Sequence, residues 1–420
     1  MSTVLPMRSE PRKDFELSLD EIAREGARRL LVQALNLEVE EYIQQNLNEV
    51  DETGKRLVVR NGVGRPRTVT MGSGSVEIQC PRVDDRRDGE KFLSSILPPY
   101  LRKSPKVESL LPILYLKGLS TGDFKSALAA FLGEGTMGLS PASIVKLKKI
   151  WEEEFDLWSK RKITKRYVYM WVDGVNVQIR LGEDKKVCLL VIIGVTESGD
   201  KELLAVHPGY RESSESWLVV LRSLIDRGLT APNLAIGDGA LGFWSALRSC
   251  KGFEKTEEQR CWVHKIANVL DKMPKRVQPD AKSLLHEMMK APTEADAVLS
   301  RKKFENLFQD KYPKATECLV KSWSELTTFF HYPAAHWTSL RTTNPIESSF
   351  ATVKLRTKVT KGAGSKETAS AMAFKLLQEC QKKWRKIRGD KQDLQNLLLG
   401  LEYKDGIVIP RSTQQEVAAS

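Results

Sequence analysis

The feature that most constrains this chain is an unbroken run, Tyr167-Val168-Tyr169-Met170-Trp171-Val172, that ends in Asp173-Gly174. Continuous apolar and aromatic residues rich in β-formers predict a strand buried on both faces, because a strand with one wet face would alternate. A carboxylate at the end of such a strand must be stabilised against desolvation. The glycine after it lets a ligand or another backbone come close. Taken alone, Asp-Gly reads more readily as a hairpin turn. The arrangement recurs, however: Leu234-Ala235-Ile236-Gly237-Asp238-Gly239 is a second short apolar run ending in Asp-Gly. Two such ends make a metal-binding role for Asp173 and Asp238 the sharper reading.

The elements between the two runs say how they could meet. Residues 177–181 extend the first strand, residues 185–195 form a second buried run and residues 202–208 a third. Short connections make these antiparallel neighbours. Ser213 or Ser214 caps a helix that carries Trp217, Leu218, Val220, Leu221, Leu224 and Ile225 and ends at Gly228. The strand to Asp238, a helix over 240–248, a fifth strand over 259–263 and a helix from His264 to Leu270 follow. Three strands, helix, strand, helix, strand, helix is the order of an α/β, ribonuclease-H-like fold. There the first and fourth strands are adjacent, so Asp173 and Asp238 would sit together.

The flanking regions differ in character. Residues 1–50 form a helical region: Ser18 can cap a helix with Glu21 three positions on, and Ile22, Ala23, Ala27, Leu30, Leu31, Ala34 and Leu35 follow at helical spacing. Residues 51–95 form a basic β-element, with Asn61-Gly62 as the turn after Leu57–Arg60 and short strands over 68–71 and 76–80. Arg60, Arg65 and Arg67 there could track phosphates or simply be solvated. Residues 96–160 hold three helices; Ser120 or Thr121 caps the second and Ser140 the third, with Pro141 at its first position. Lys146 and Lys149 on that last helix resemble the reading face of a helix-turn-helix. Residues 163–272 are the first part of the ribonuclease-H-like core. Residues 273–340 are an all-α insertion with its own apolar core, where Trp323 and Trp337 pack or, less readily, stack on a base. Residues 341–390 resume the core, with a long amphipathic helix over 366–388, and 391–420 form a peripheral tail.

Composition narrows the partner. The 420 residues carry a net charge of +12 and a pI of about 9.3, which favours a polyanion, nucleic acid before membrane. No apolar run is long enough to span a bilayer, and residues 1–21 lack the apolar core of a signal peptide. The six cysteines are scattered with no CxxC pair. They read as reduced thiols of a cytoplasmic protein, not as a zinc ribbon.

Two strand-end aspartates with a third carboxylate suit phosphodiester chemistry, in which two divalent ions activate the attacking oxygen and stabilise the leaving one. The stretches WVDGV, IGDGALGFW, RCWVHK and TTNPIESSFATVKLRTKV resemble those of the bacterial mutator-type transposases of insertion sequences, over nearly the whole chain. The resemblance implies an Asp-Asp-Glu triad of Asp173, Asp238 and Glu347 binding Mg²⁺, with Mn²⁺ as the alternative ion. It implies cleavage at the terminal inverted repeats of an element and joining of the 3′-hydroxyl to target DNA. It further implies a homodimer or larger assembly on double-stranded DNA, in the bacterial cytoplasm at the nucleoid.

Cys261-x-x-His264 matches a pair that such transposases carry after the second aspartate. One CxxH is too small a ligand set for a structural zinc. His264 either supports the metal ligands or contacts a phosphate, or else Cys261 is a core residue and His264 a helix cap. Arg260, Lys265, Lys354, Arg356 and Lys358 flank these motifs as phosphate clamps or as solvated helix faces. Asn344-Pro345-Ile346-Glu347 reads as a helix start with Asn344 as N-cap and Glu347 at the third position, so Glu347 closes a capping box or completes the triad. A DNA-binding regulator that has lost catalysis and a structure-specific nuclease are the competing functions.

Overall fold

Tyr167 does begin a buried strand, and the larger part of the chain is built around it. The structure is a computed structural model that describes residues 18–89, 91–116, 119, 123–132, 141–180, 185–239, 241–359 and 362–410. The chain divides into two units, Met1–Val145 and Lys146–Ser420.

In the first unit, helix α1 (Leu19–Gln45) starts at a complete capping box. Ser18 Oγ accepts the Glu21 N–H and the Glu21 carboxylate accepts the Ser18 N–H. Strands β1 (Val58–Val63), β2 (Arg67–Met71), β3 (Gly74–Ile78) and β4 (Pro81–Asp85) pair as β1 with β4 and β2 with β3. Asn61-Gly62 is not the expected hairpin turn. It lies inside β1, where the register to β4 shifts between Arg60 and Val63 and Gly62 takes φ +59°. A bulge and a tight hairpin turn ask for the same positive φ, so the dipeptide cannot tell them apart. Leu35 of α1 packs with Val69, Val76 and Ile78 of the β2–β3 hairpin and with Leu97. Helices α2 (Pro105–Leu116) and α3 (Asp123–Leu132) follow, and α4 (Pro141–Ser159) begins. The expected caps Ser120, Thr121 and Ser140 lie outside the described residues.

From Lys146 onward α4 is part of the second unit. Its Phe155 and Trp158 pack at a tilt against Phe374, and Glu152 accepts a hydrogen bond from Thr368 Oγ1 at 2.7 Å. The sheet comprises β5 (Tyr167–Gln178), β6 (Lys186–Thr196), β7 (Lys201–Gly209), β8 (Leu234–Gly237) and β9 (Glu257–Arg260), in the order β7-β6-β5-β8-β9. The first three are antiparallel; β8 runs parallel to β5, and β9 to β8. Helix α5 (Ser214–Asp226), capped by Ser213, connects β7 to β8, and α6 (Leu241–Ser249) connects β8 to β9. Met170, Val172, Leu190, Ile192 and Ala235 form a core with Trp217, Leu221 and Leu224 of α5 and Phe243 and Trp244 of α6. Each of the larger aliphatic and phenyl side chains contributes roughly 1.5–3 kcal/mol by leaving water. Tyr169 Oη meets His336 Nδ1 at 2.8 Å, and Trp171 Nε1 donates to the Ser339 carbonyl.

Three boundaries differ from the sequence reading. Strand β5 does not stop at Asp173-Gly174 but runs through it, because β6 pairs with it from Tyr167 to Gln178; only β8 stops, after Trp171. Strand β9 ends at Arg260, and helix α7 (Trp262–Leu270) already starts at Trp262 with Cys261 as its N-cap residue. Beyond Gln178, β5 meets another segment: the Arg180 N–H donates to the Ala363 carbonyl and the Ala363 N–H to the Gln178 carbonyl, each at 2.8 Å.

The remaining elements are helical: α8 (Gln278–Lys290), α9 (Glu294–Phe308), α10 (Pro313–Val320), α11 (Trp323–Thr327), two 3₁₀ turns, α12 (Trp337–Leu340), α13 (Asn344–Val359), α14 (Lys366–Gln381) and α15 (Lys391–Leu398). Trp337 is buried and donates to the Tyr332 carbonyl; Trp323 packs edge-on to Trp262 with the Arg301 guanidinium over its ring. Both therefore act in packing. Helix α14 ends at Gln381, short of the expected 388, because the chain turns back to place Trp384 Nε1 on Ser349 Oγ and the Ile387 N–H on the Gly199 carbonyl. Over residues 391–410 the tail is not peripheral, and 411–420 lie outside the described residues. Leu394, Leu397 and Tyr403 are buried. The hairpin β10 (Tyr403–Lys404) and β11 (Ile407–Val408) holds the 3₁₀ region through Gly406 N–H to the Phe330 carbonyl and Ala334 N–H to the Gly406 carbonyl. Its apolar residues are too widely spaced for the sequence pattern to announce this. No described helix is long and apolar enough to cross a membrane.

Candidate active site

Residues Tyr169, Met170 and Trp171 of β5 pair with Leu234, Ala235 and Ile236 of β8. Carrying that register two residues further brings Asp173 level with Asp238. Each carboxylate accepts a hydrogen bond from the N–H of the glycine after it, Gly174 at 2.8 Å and Gly239 at 2.5 Å. The Asp238 carbonyl is held by Trp244 Nε1 at 2.8 Å. The close fit of the strands needs glycine as well: a Cβ on Gly237 would lie 2.8 Å from a Val172 methyl.

Glu347 comes from the first turn of α13, but not in the expected position. The Glu347 N–H donates to the Thr343 carbonyl at 3.0 Å, so Thr343, one residue earlier than expected, supplies the first helical acceptor. The Glu347 carboxylate takes the Thr343 hydroxyl as its donor instead of closing a capping box. The Thr343 N–H is directed at Cys261 Sγ, 3.4 Å away. Cys261 and His264 stand at the start of α7, and His264 Nδ1 is 3.9 Å from Asp238 Oδ1 and 3.9 Å from Glu347 Oε1. Cys261, His264 and Glu347 can bring one ligand atom each to within 4.8 Å of one another. Thr343 and the Cys261–His264 pair therefore position Glu347.

A further carboxylate that the sequence reading passed over is present. Glu212 lies between β7 and the Ser213 cap of α5, and a Cβ on Gly174 would lie 2.3 Å from its Oε1. No motif surrounds it; only the crossover from β7 to α5 carries it over β5.

Electrostatics bind these groups into one site. Burial pushes the Asp173 carboxyl up to about 7; the Gly174 N–H opposes this, while the charges of Glu212 and Glu347 add to it. Glu212 is raised by burial and then by Asp238. Its hydrogen bond with Cys261 raises His264 to about 9, with Asp238 and Glu347 contributing. Burial would raise the Cys261 thiol, but hydrogen bonds from His264 and Thr343 outweigh it and hold it below its ordinary value.

Comparison with known proteins places this chain in a family. The family model described as "Transposase, Mutator family" matches residues 4–387. The chain belongs to the Mutator family of transposases. It is 49% identical over 282 residues to the transposase for insertion sequence element IS6120 of Mycolicibacterium smegmatis, covering 67% of this chain and 86% of that protein. Identity to the transposase for insertion sequence element IST2 of Acidithiobacillus ferrooxidans is 45% over 284 residues, 67% and 95% of the two chains. The transposase for IS256 in transposon Tn4001 of Staphylococcus aureus is 25% identical over 374 residues, 87% and 91%. This chain is a DNA transposase.

The expected cations of this transposase separate into two groups. Lys354 and Lys358 on α13, Lys146 and Lys149 on α4 and Arg65 are exposed. The others are held by protein. Arg356 is only 2% exposed, on the same face of α13 as Ile346, Phe350 and Val353. Lys265 is buried and donates to Ser322 Oγ at 2.9 Å and the Cys318 carbonyl at 3.2 Å. Neither is a surface clamp. Arg260 bonds Ser322 Oγ and reaches the Gly239 carbonyl at 3.4 Å, behind Asp238. Arg60 is itself exposed but bonds Asn36 Oδ1, and Arg67 bonds the Leu97 and Pro98 carbonyls. A cavity of about 460 Å³ next to the carboxylates is lined instead by Lys186, Arg211, Lys366 and Tyr210, together with Asn176 and Cys188.

Proposed function

We propose that this transposase has a ribonuclease-H-like catalytic core in which Asp173, Asp238 and Glu347 bind Mg²⁺, or Mn²⁺ in its place, and that it cleaves the ends of an insertion sequence and joins them to target DNA. The observation that supports this reading is the register of β5 against β8, which levels two aspartates, with Glu347 converging from α13. The donor set fits a hard divalent ion: all three are carboxylate oxygens, and Mg²⁺ completes its octahedron with water and substrate phosphate. When bound, such ions activate the attacking oxygen and stabilise the leaving one. Asp173 and Asp238 would hold them from the sheet. Glu347 would close the site from the helix, oriented by Thr343. His264, between Asp238 and Glu347, would keep the two carboxylates apart and screen their repulsion.

The exposed Lys354 and Lys358, with Lys186 and Arg211 of the cavity, would track the substrate backbone. Reading of the terminal repeats would fall to residues 51–160, with Arg65, Lys146 and Lys149 as phosphate contacts, and a homodimer or larger assembly would pair the two ends.

The test uses the full chain, labelled end DNA, a target plasmid and Mg²⁺. Joined products that form with Mg²⁺ and vanish with a chelator are expected. Binding without cutting would favour a regulator, and cutting without joining a nuclease.

A further inference from the structure

We propose that Glu212 is a fourth metal-binding carboxylate of this transposase, seated over Gly174 by the segment that leads from β7 into α5. The inference rests on the reading of Asp173 and Asp238 as metal ligands.

Glu212 Oε1 and Cδ lie 2.3 and 2.8 Å from where a Gly174 Cβ would be. Its carboxyl group thus occupies the space a side chain would fill next to Asp173. The backbone beneath it is fixed from two sides. Arg211 adopts φ +54°, a left-handed conformation that a non-glycine residue holds only when its surroundings impose it. A Cβ on Gly242, in the first turn of α6, would lie 2.0 Å from the Glu212 carbonyl oxygen and 2.7 Å from Ser213 C. Helix α6 therefore clamps this segment, and does so one turn after Asp238.

The purely structural duties are already filled. Ser213, not Glu212, caps α5 by accepting the Ser216 N–H. Among the described residues the Glu212 carboxylate has no hydrogen-bond or ion-pair partner. Its charge couples instead to Asp173, Asp238 and His264. A half-buried carboxylate near others without a bonded cation either takes up a proton or shares a cation with them. On the opposite wall Cys261, His264 and Glu347 also converge as potential ligands, so donors face the cleft from both sides.

The experiment measures Mn²⁺ binding by electron paramagnetic resonance and calorimetry on the full chain, as wild type, Glu212→Gln and Asp173→Asn. Wild-type protein loaded with Fe²⁺ is also exposed to peroxide and its hydroxyl-radical backbone cuts are mapped. Glu212→Gln should weaken Mn²⁺ binding by about tenfold or more and leave affinity for end DNA unchanged. Radical cuts should appear around 212 as well as around 173 and 238. Unchanged Mn²⁺ binding in Glu212→Gln with a loss in Asp173→Asn would overturn the role of Glu212 and keep the aspartates. Unchanged binding in both variants would overturn the underlying reading of the site. If Glu212→Gln does not fold, the cuts decide on wild-type protein: none between 210 and 214 overturns the proposal.

Discussion

The Asp173 side of the site and the Asp238 side start from the same local unit, an aspartate that accepts the N–H of the following glycine, on adjacent parallel strands. Their surroundings then diverge. Asp173 stands with Glu212 on a wall where burial lifts its carboxyl to about 7. Asp238 stands with His264, which Cys261 and the nearby carboxylates raise to about 9. Among the described residues no cation pairs with Glu212 on the first wall, whereas the second carries His264. The same dipeptide thus has different chemistry on the two strands because of what the neighbouring helices bring.

The largest effect should follow from removing a charge that both walls share. Glu347→Gln is expected to lower cleavage by at least about 10³-fold, since an amide is a poor Mg²⁺ ligand. It should still melt near wild type, a loss below about 1 kcal/mol, because Gln also accepts the Thr343 hydroxyl. Gel-based cleavage assays and calorimetry check both halves, and near-normal cleavage would leave Glu347 a structural residue only.

The two walls should also titrate apart in metal-free protein. Asp173 rises from 3.8 to about 7 on folding, so the folded state holds a proton that the unfolded state has released between those values. Its contribution to stability is full below about pH 4 and is lost as pH rises through 7. For His264, raised from 6.5 to about 9, the contribution is full below 6.5 and lost through 9. Asp173→Asn should therefore remove this loss and, above pH 7, exceed wild type by on the order of 4 kcal/mol. His264→Ala should lower stability most below pH 6.5 and converge on wild type above pH 9, which removes the slope between those values. Identical pH profiles of melting temperature in all three proteins would remove the electrical distinction.

The smallest effect concerns the positioning residues. His264→Ala should slow cleavage by about tenfold with Mg²⁺ present, the size expected for a group that orients a ligand, and leave end binding intact.

The sheet and its two aspartates were legible because unbroken apolar runs and their endings are local, whereas Glu347 was named through the family resemblance. Glu212 was not: its neighbours Arg211 and Ser213 form no motif, and only the crossover places it over Gly174. The burial of Arg356 and Lys265 was within reach of helical spacing. Ile346, Phe350, Val353 and Arg356 share one face of α13, as Trp262, Lys265, Ile266 and Val269 share one of α7. Counting basic residues near a motif ignored that face. The docked tail depends on a two-residue hairpin and a few scattered apolar residues, too little for any periodicity.

The length of the opening onto the carboxylates is set away from the carboxylates themselves. On one edge β5 is partnered by β8 only as far as Trp171, and by the Ala363 segment only from Gln178 onward. Between them no described strand pairs with that edge. At roughly 3.3 Å per residue the interval measures about 20 Å, the reach of about six nucleotides of one DNA strand at 3.4 Å each. If the carboxylates hold the reacting phosphate as proposed, these two neighbours would set how much substrate lies alongside it, and lengthening β8 by two residues would shorten that window by about two nucleotides.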